Sequence, residues 1–331
     1  MAKTNEFRAE ILLIIAGLSF GNIPIISAIL RDNNVSTLEQ VFIRSLIGSM
    51  FGIVVILVTF YSMNRLEISH ALTKNNQFFY AIQGLILNIM IIVYFIAIAL
   101  ETPVGEAALL VQVHPLITLV LGALLLKERF SKEKIFSLLI AFSGIVILIR
   151  PWEFNSFLSH VVGDIFAMLN GVFYSFYLII GRLSKDHRLK VSPLVSISFV
   201  LIWTFITFIP SMFLFTLLPN NPLINSFSFS TYKSAFIIEL GIALGLLGSV
   251  LPYGLIMISS RYVESSRSAI LLLGEPLGAI VFGLLILNEP ITIYYIIGGG
   301  LLMFAIIYLI LTGSKPSSKI AIVLNSNQNG T

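Results

Sequence analysis

His114 and Glu275 are the two residues best placed to do chemistry in an otherwise apolar chain. Each stands inside a long hydrophobic run, and each directly precedes a proline, Pro115 or Pro276. A charge at the centre of a bilayer costs roughly 2.5–3.5 kcal/mol even on the lenient scale, so such side chains normally face a protein interior or water. Imidazole titrates near neutrality. A protonated His114 with an ionised Glu275 can bind a zwitterion or hand on a proton. Proline also frees the carbonyl of the preceding helical turn, which a polar ligand or water can use. The competing reading is structural: both side chains hydrogen-bond across a helix interface or to buried water.

Arg44, in "FIRSLIGSM", is the one basic residue embedded in an apolar run. It lies roughly 9 Å deep at 1.5 Å per helical residue. It either snorkels outward to pair with Glu39 or Asp32, or contacts an anion near the outer mouth of a path. Asn22 (ahead of Pro24), Asn88, Asn170 and Tyr174 are further candidates to line such a path. Asn and Gln also commonly join membrane helices by hydrogen bonds. Gln112, two residues from His114, is expected to point away from the His114 face. Pro252 joins Pro24, Pro115 and Pro276 as a candidate helix break. Glu128 and Glu289 end their runs and read as caps or interface partners. Asp164, near the start of its run, favours the positive helix N-terminus.

The elements that hold these residues follow from composition. The chain has 331 residues, 57% hydrophobic and 11% charged, with a mean hydropathy of +0.98; a soluble domain carries about 25% charge. The only lipid-spanning structures are helices and closed barrels, and barrels alternate polar and apolar residues. The long unbroken apolar runs here exclude a barrel. The runs predict ten spans: 9–30, 38–62, 78–99, 102–126, 132–150, 161–182, 193–217, 233–259, 263–287 and 291–312. The first follows Lys3 and Arg8 like a signal peptide, but it is long and lacks a clear cleavage site; it reads as a retained helix. Residues 313–331 read as a polar cytoplasmic tail.

Charge sets the orientation. Sixteen of the 20 Lys and Arg residues fall in segments on the N-terminal side of the membrane. Arg31, Arg150 and Lys233 fall on the other side, and Arg44 lies within a span. The positive-inside rule then predicts both termini in the cytoplasm of a cell that holds this chain in its cytoplasmic (inner) membrane. The same rule explains the net charge of +4 without a nucleic-acid partner.

Shifted by 161 residues, "ALLVQVHPLITLVLGALLLKE" (108–128) lies over "AILLLGEPLGAIVFGLLILNE" (269–289). Nine positions are identical, among them Pro115/Pro276, Gly122/Gly283 and Glu128/Glu289. The same register places His114 over Glu275. Five spans per copy is an odd number, so the second copy enters the membrane inverted, an arrangement recurrent in transporters. The expected fold is an all-α membrane protein of ten transmembrane helices in two inverted five-helix repeats, 9–150 and 161–312.

The two proline-containing motifs and the arginine of "FIRSLIGSM" resemble those of the drug/metabolite transporter (DMT) superfamily, EamA type, with two EamA-like halves. The resemblance covers nearly the whole chain. It implies a secondary transporter, an exporter by family habit, of a small polar metabolite such as an amino acid, working by alternating access in the lipid bilayer. Coupling to protons and a homodimer are open partners. An intramembrane enzyme and a channel-like permease are the rival classes. Against an enzyme, there are no cysteines, and the histidines at 70, 114, 160 and 187 lack ligand spacing. No catalytic residue, metal or cofactor is therefore expected. Against a channel, rings of charge and carbonyl-rich filter loops are not evident.

Overall fold

A computed structural model describes residues 2–62, 65–100, 102, 107–108, 110–149, 152, 161–183, 190–217, 224, 226–228, 234–286 and 293–312. Glu289, the connection at Glu101 and Pro103, most of the 219–233 loop and the 313–331 tail lie outside the described residues. The helices are α1 (Ala2–Phe20), α2 (Asn22–Asp32), α3 (Thr37–Tyr61), α4 (Arg65–Ala71), α5 (Lys74–Ala99), α6 (His114–Leu126), α7 (Lys132–Ile149), α8 (Val161–Leu183), α9 (Pro193–Thr216), α10 (Ala235–Gly245), α11 (Leu251–Ser259), α12 (Ser265–Leu271), α13 (Gly274–Ile286) and α14 (Ile293–Thr312). No strand occurs among the described residues.

Leu, Ile, Val and Phe fill these segments, and in lipid their backbone groups must pair within the segment, which a helix achieves. Local signals set the starts. Ser36 and Glu39 form a capping box at α3: Ser36 Oγ accepts from Glu39 N at 3.3 Å, and Glu39 Oε2 accepts from Ser36 N at 2.9 Å. The outer faces are apolar. Leu124, Leu285 and Leu311 are 72%, 73% and 75% exposed, a surface suited to acyl chains rather than water.

Seven segments are long and apolar enough to cross a membrane: Asn5–Asp32, Thr37–Tyr61, Lys74–Ala99, Val161–Leu183, Pro193–Phe213, Ala235–Ser259 and Ser265–Ile286. Val111–Leu126 and Ile296–Thr312 are shorter apolar helices. α7 has 18 residues and opens on Lys132, Glu133 and Lys134. The protein is thus a multi-pass helical membrane protein.

Helix packing follows the two halves of the sequence. α3 packs on α9, and α7 on α14, each against the helix at the same place in the other half. α5 packs on α8, and its counterpart α11 packs on α1. α6 likewise packs on α8, and α13 on α1. Partners exchange when the halves are exchanged. Glycines permit the closest approaches: a Cβ on Gly84 would stand 2.6 Å from Trp203 Cβ, and one on Gly52 would stand 2.6 Å from the Ser198 carbonyl.

Several spans expected to run continuously are interrupted. Asn5–Asp32 breaks at Gly21, three residues before Pro24. A 3₁₀ turn at Val111–Val113 precedes α6, a π-helical stretch at Leu246–Val250 separates α10 from α11, and Leu272–Leu273 separate α12 from α13. Pro24, Pro115, Pro252 and Pro276 each occupy the second or third residue of the helix that follows a break, where a missing N–H costs little.

A polar cluster ties the halves together at one end. Glu10 of α1 pairs with Arg267 of α12, the two being 1% and 5% exposed. Arg267 also donates to the Leu309 carbonyl at 3.3 Å. Glu128, just past α6, accepts from Ser265 N (2.7 Å), Ser266 N (2.9 Å) and Ser266 Oγ (2.5 Å), capping α12 of the other half. Lys134 bonds Glu264 (2.5 Å) and Ser266 Oγ (2.7 Å).

Candidate functional site

The breaks converge on a cavity of about 30 Å³ within the bundle. Its polar wall comprises Arg44, Tyr94, Asn170, Tyr174, Tyr253 and Glu275, and residues such as Phe20 and Ile91 supply its apolar wall. Four of these polar side chains are among the sequence candidates: Arg44, Asn170, Tyr174 and Glu275. Arg44 and Glu275 face this space from opposite halves of the chain, and among the described residues no ion pair joins them.

Arg44 is 2% exposed and turns inward. It does not snorkel outward to Glu39 or Asp32. Glu39 is held by its capping box and by Ser228 N at 2.8 Å, and Asp32 pairs with Arg31 at 3.6 Å. The reason lies in the π-helical stretch. Pro252 has no N–H to give the carbonyl four residues back, Gly248. Arg44 donates instead to that carbonyl and, through Nε, to Ser249 Oγ at 2.8 Å. The Tyr253 hydroxyl also faces the guanidinium, which lies 5.7 Å from the centre of the Phe95 ring.

Glu275, the second residue of α13, is 6% exposed. The Gln112 side chain faces its carboxylate. The carbonyls freed by Pro115 and Pro276 are not left for a ligand. Val111 O accepts from His114 N, and Leu272 O accepts from Glu275 N at 3.1 Å.

His114 is fully buried and lies behind the cavity wall rather than on it. Its ring centre is 4.3 Å from that of Tyr174, and neither ring nitrogen has a partner among the described residues. Its carbonyl accepts from Thr118 Oγ1 (2.7 Å) and Ser175 Oγ (3.0 Å). Asn170 donates to the Met90 carbonyl at 2.7 Å. Asn88 is off the wall, donating to Ser211 Oγ at 3.1 Å, a helix-joining contact. Asn22 donates to the Ser19 carbonyl across the α1–α2 break, and Asp164 accepts from Thr102 Oγ1 at 3.3 Å.

Tyr94 and Tyr253 escape sequence reasoning because aromatic residues at helical spacing are ordinary core. The hydroxyls of Tyr94 and Tyr174 have no partner among the described residues, although the residues are only 5% and 2% exposed. A second, smaller cavity is lined by Gln83, Tyr177, Arg182 and Ser260 among others. The Tyr177 ring on its wall lies 5.2 Å from the Tyr253 ring on the wall of the first. Among the described residues no three His, Cys, Asp or Glu side chains gather as a metal site.

Apolar outside and closed around a cavity bearing one guanidinium and one carboxylate, the bundle has the build of a membrane transporter. The chain belongs to the EamA-like transporter family, whose profile matches residues 7–150 and again 161–312. An uncharacterized transporter of Archaeoglobus fulgidus is 25% identical over 211 residues, 61% of this chain and 66% of that protein. A second from the same organism is 25% identical over 222 residues, 67% of this chain and 73% of that one. The pseudopaline exporter CntI of Pseudomonas aeruginosa is 24% identical over 165 residues, 49% of this chain and 52% of CntI. The chain thus spans just under two thirds of the first relative and about half of the exporter. A crystal structure at 18% identity covers 92% of this chain and 96% of its own, with a TM-score of 0.67; at that identity the likeness is one of fold alone.

Proposed function

We propose that this protein is a ten-span secondary carrier that exports a small polar metabolite, of amino-acid type, by alternating access. The observation that carries the reading is the cavity, where one buried cation and one buried anion from the two halves face the same space. Burying two charges without pairing them is costly, and a polar solute that meets both offsets that cost. The exchange of packing partners between halves supports two inverted repeats, 9–150 and 161–312, moving as two bodies. The likeness to an exporter supports the direction. The distribution of Lys and Arg supports a cytoplasmic-membrane location with both termini inside.

Glu275 is the group we assign to proton coupling, since it alone among the wall residues is a carboxylate. His114 fixes the Tyr174 ring from behind. The test is counterflow in liposomes with the purified protein. Saturable exchange of a labelled amino acid, with a pH response that Glu275→Gln removes while His114→Gln keeps it, is the expected result. Ohmic current without saturation would mark a channel instead, and a pH response unchanged in Glu275→Gln would remove the proton role.

A further inference from the structure

We infer that Arg44, with the Tyr94 and Tyr174 hydroxyls, is a carboxylate-binding subsite, and that the cavity selects solutes carrying a carboxylate and a protonated amine together. This rests on the carrier reading above and specifies its substrate class. It moves the anion contact from the outer mouth to the central cavity, and gives Arg44 the pairing otherwise open to His114.

Three observations meet here. First, Arg44 is pre-positioned. Its Nε and one terminal nitrogen are fixed on Ser249 and on the carbonyl that Pro252 frees. A guanidinium has five N–H donors, so these two bonds, with the Tyr253 hydroxyl beside them, set its plane and leave donors over on a side chain that lines the cavity. A planar, pre-organised fork is the group best matched to a carboxylate. Second, two hydroxyls on the same wall have no protein partner among the described residues, at 5% and 2% exposure. A buried polar group without a partner costs free energy, and a ligand carboxylate accepting from it removes that cost. Third, Glu275 lines the same space without pairing to Arg44. A net anion would satisfy Arg44 and face the Glu275 carboxylate uncompensated. A net cation would do the reverse. A zwitterion answers both charges at once.

The experiment uses full-length protein in liposomes. The 20 standard L-amino acids are screened as counterflow substrates beside their carboxamides, their deaminated acids and a set of uncharged polar metabolites. The best is then compared, as competitor, with its own carboxamide and with its deaminated acid. In wild type, the amide and the deaminated acid are each expected to compete at least about tenfold more weakly than the parent. In Arg44→Gln the parent is expected to fall to the level of its amide, and Arg44→Lys to retain part of the difference. Tyr94→Phe and Tyr174→Phe are expected to weaken the parent severalfold with little effect on the amide. The wild-type arm needs no substitution, so misfolding of a variant cannot decide the matter. An amide that competes as well as its acid overturns the inference and leaves the carrier intact. So does counterflow confined to solutes lacking either charge. Absence of counterflow with any solute refutes the carrier reading as well.

Discussion

The Glu10–Arg267 pair offers the sharpest energetic test of how the halves are joined. Both side chains are nearly inaccessible, and Arg267 has a further tie to Leu309 O. Removing one partner of a buried pair typically costs about 3–5 kcal/mol, because the other charge is left uncompensated. Replacing both with apolar groups of similar volume is often near neutral. We therefore predict that Glu10→Leu and Arg267→Met each cost about 3 kcal/mol, and that the double variant costs no more than either single change, a coupling of at least about 3 kcal/mol. Arg31–Asp32 is the control: at 3.6 Å and with Asp32 69% exposed, Asp32→Asn should change stability by less than ~0.5 kcal/mol, as surface pairs do. Reversible unfolding by dodecyl sulfate in mixed micelles reads all four variants. Single costs below about 0.5 kcal/mol that simply add would refute a buried latch and show that the pair is wet.

Three further outcomes are expected. Glu128→Ala leaves the first amides of α12 without their acceptor and should cost about 1–2 kcal/mol, the usual value of a lost cap; Glu128→Gln should cost less, and the same unfolding assay checks both. Gly84→Val drives a branched side chain into Trp203 and the α9 backbone and should cost about 1–3 kcal/mol by overpacking, read as a lower yield of monodisperse protein and a lower unfolding midpoint. Tyr177→Ala removes the ring that lines the second cavity and packs on Tyr253 of the first. A solute leak that no longer saturates in the liposome assay is the expected signature, and flux that remains saturable would show that another layer separates them.

Much of the architecture was legible because lipid allows so few solutions. The apolar runs predicted where helices lie, and the 161-residue register predicted which helices are equivalent. His114 and Glu275 were found as a pair by that register, yet they do different things. Both directly precede a proline after a break, but Glu275 reaches the wall while His114 is covered by Tyr174. Periodicity could not separate them, since the 3₁₀ turn ahead of α6 alters the rotation that a regular helix would give. Arg44 was visible as a buried cation, but its inward course depends on a carbonyl in a helix 204 residues away. The one local signal for that course was Pro252. Glu10 and Arg267 gave no signal as a pair, being far apart in sequence and each near the end of a run, where charge is ordinary.

The prolines make one further point about motion. A proline that kinks a continuous helix leaves a carbonyl unpaired, which lipid makes expensive. Here the breaks near the cavity have replacement donors: His114 N for Val111, Glu275 N for Leu272, and Arg44 for Gly248. The first two are bonds to the third residue back, local to the break itself, and they survive if the flanking helices change their angle. The third is not local. It joins α3 to the break between α10 and α11, so bending there must stretch or release the guanidinium. A carboxylate arriving at Arg44 takes the donors that those bonds leave over, and so loads the guanidinium on which the break depends. Solute binding and the bend of α10 against α11 are thereby expected to be one event, whereas the bends at Val111 and Leu272 remain free of it.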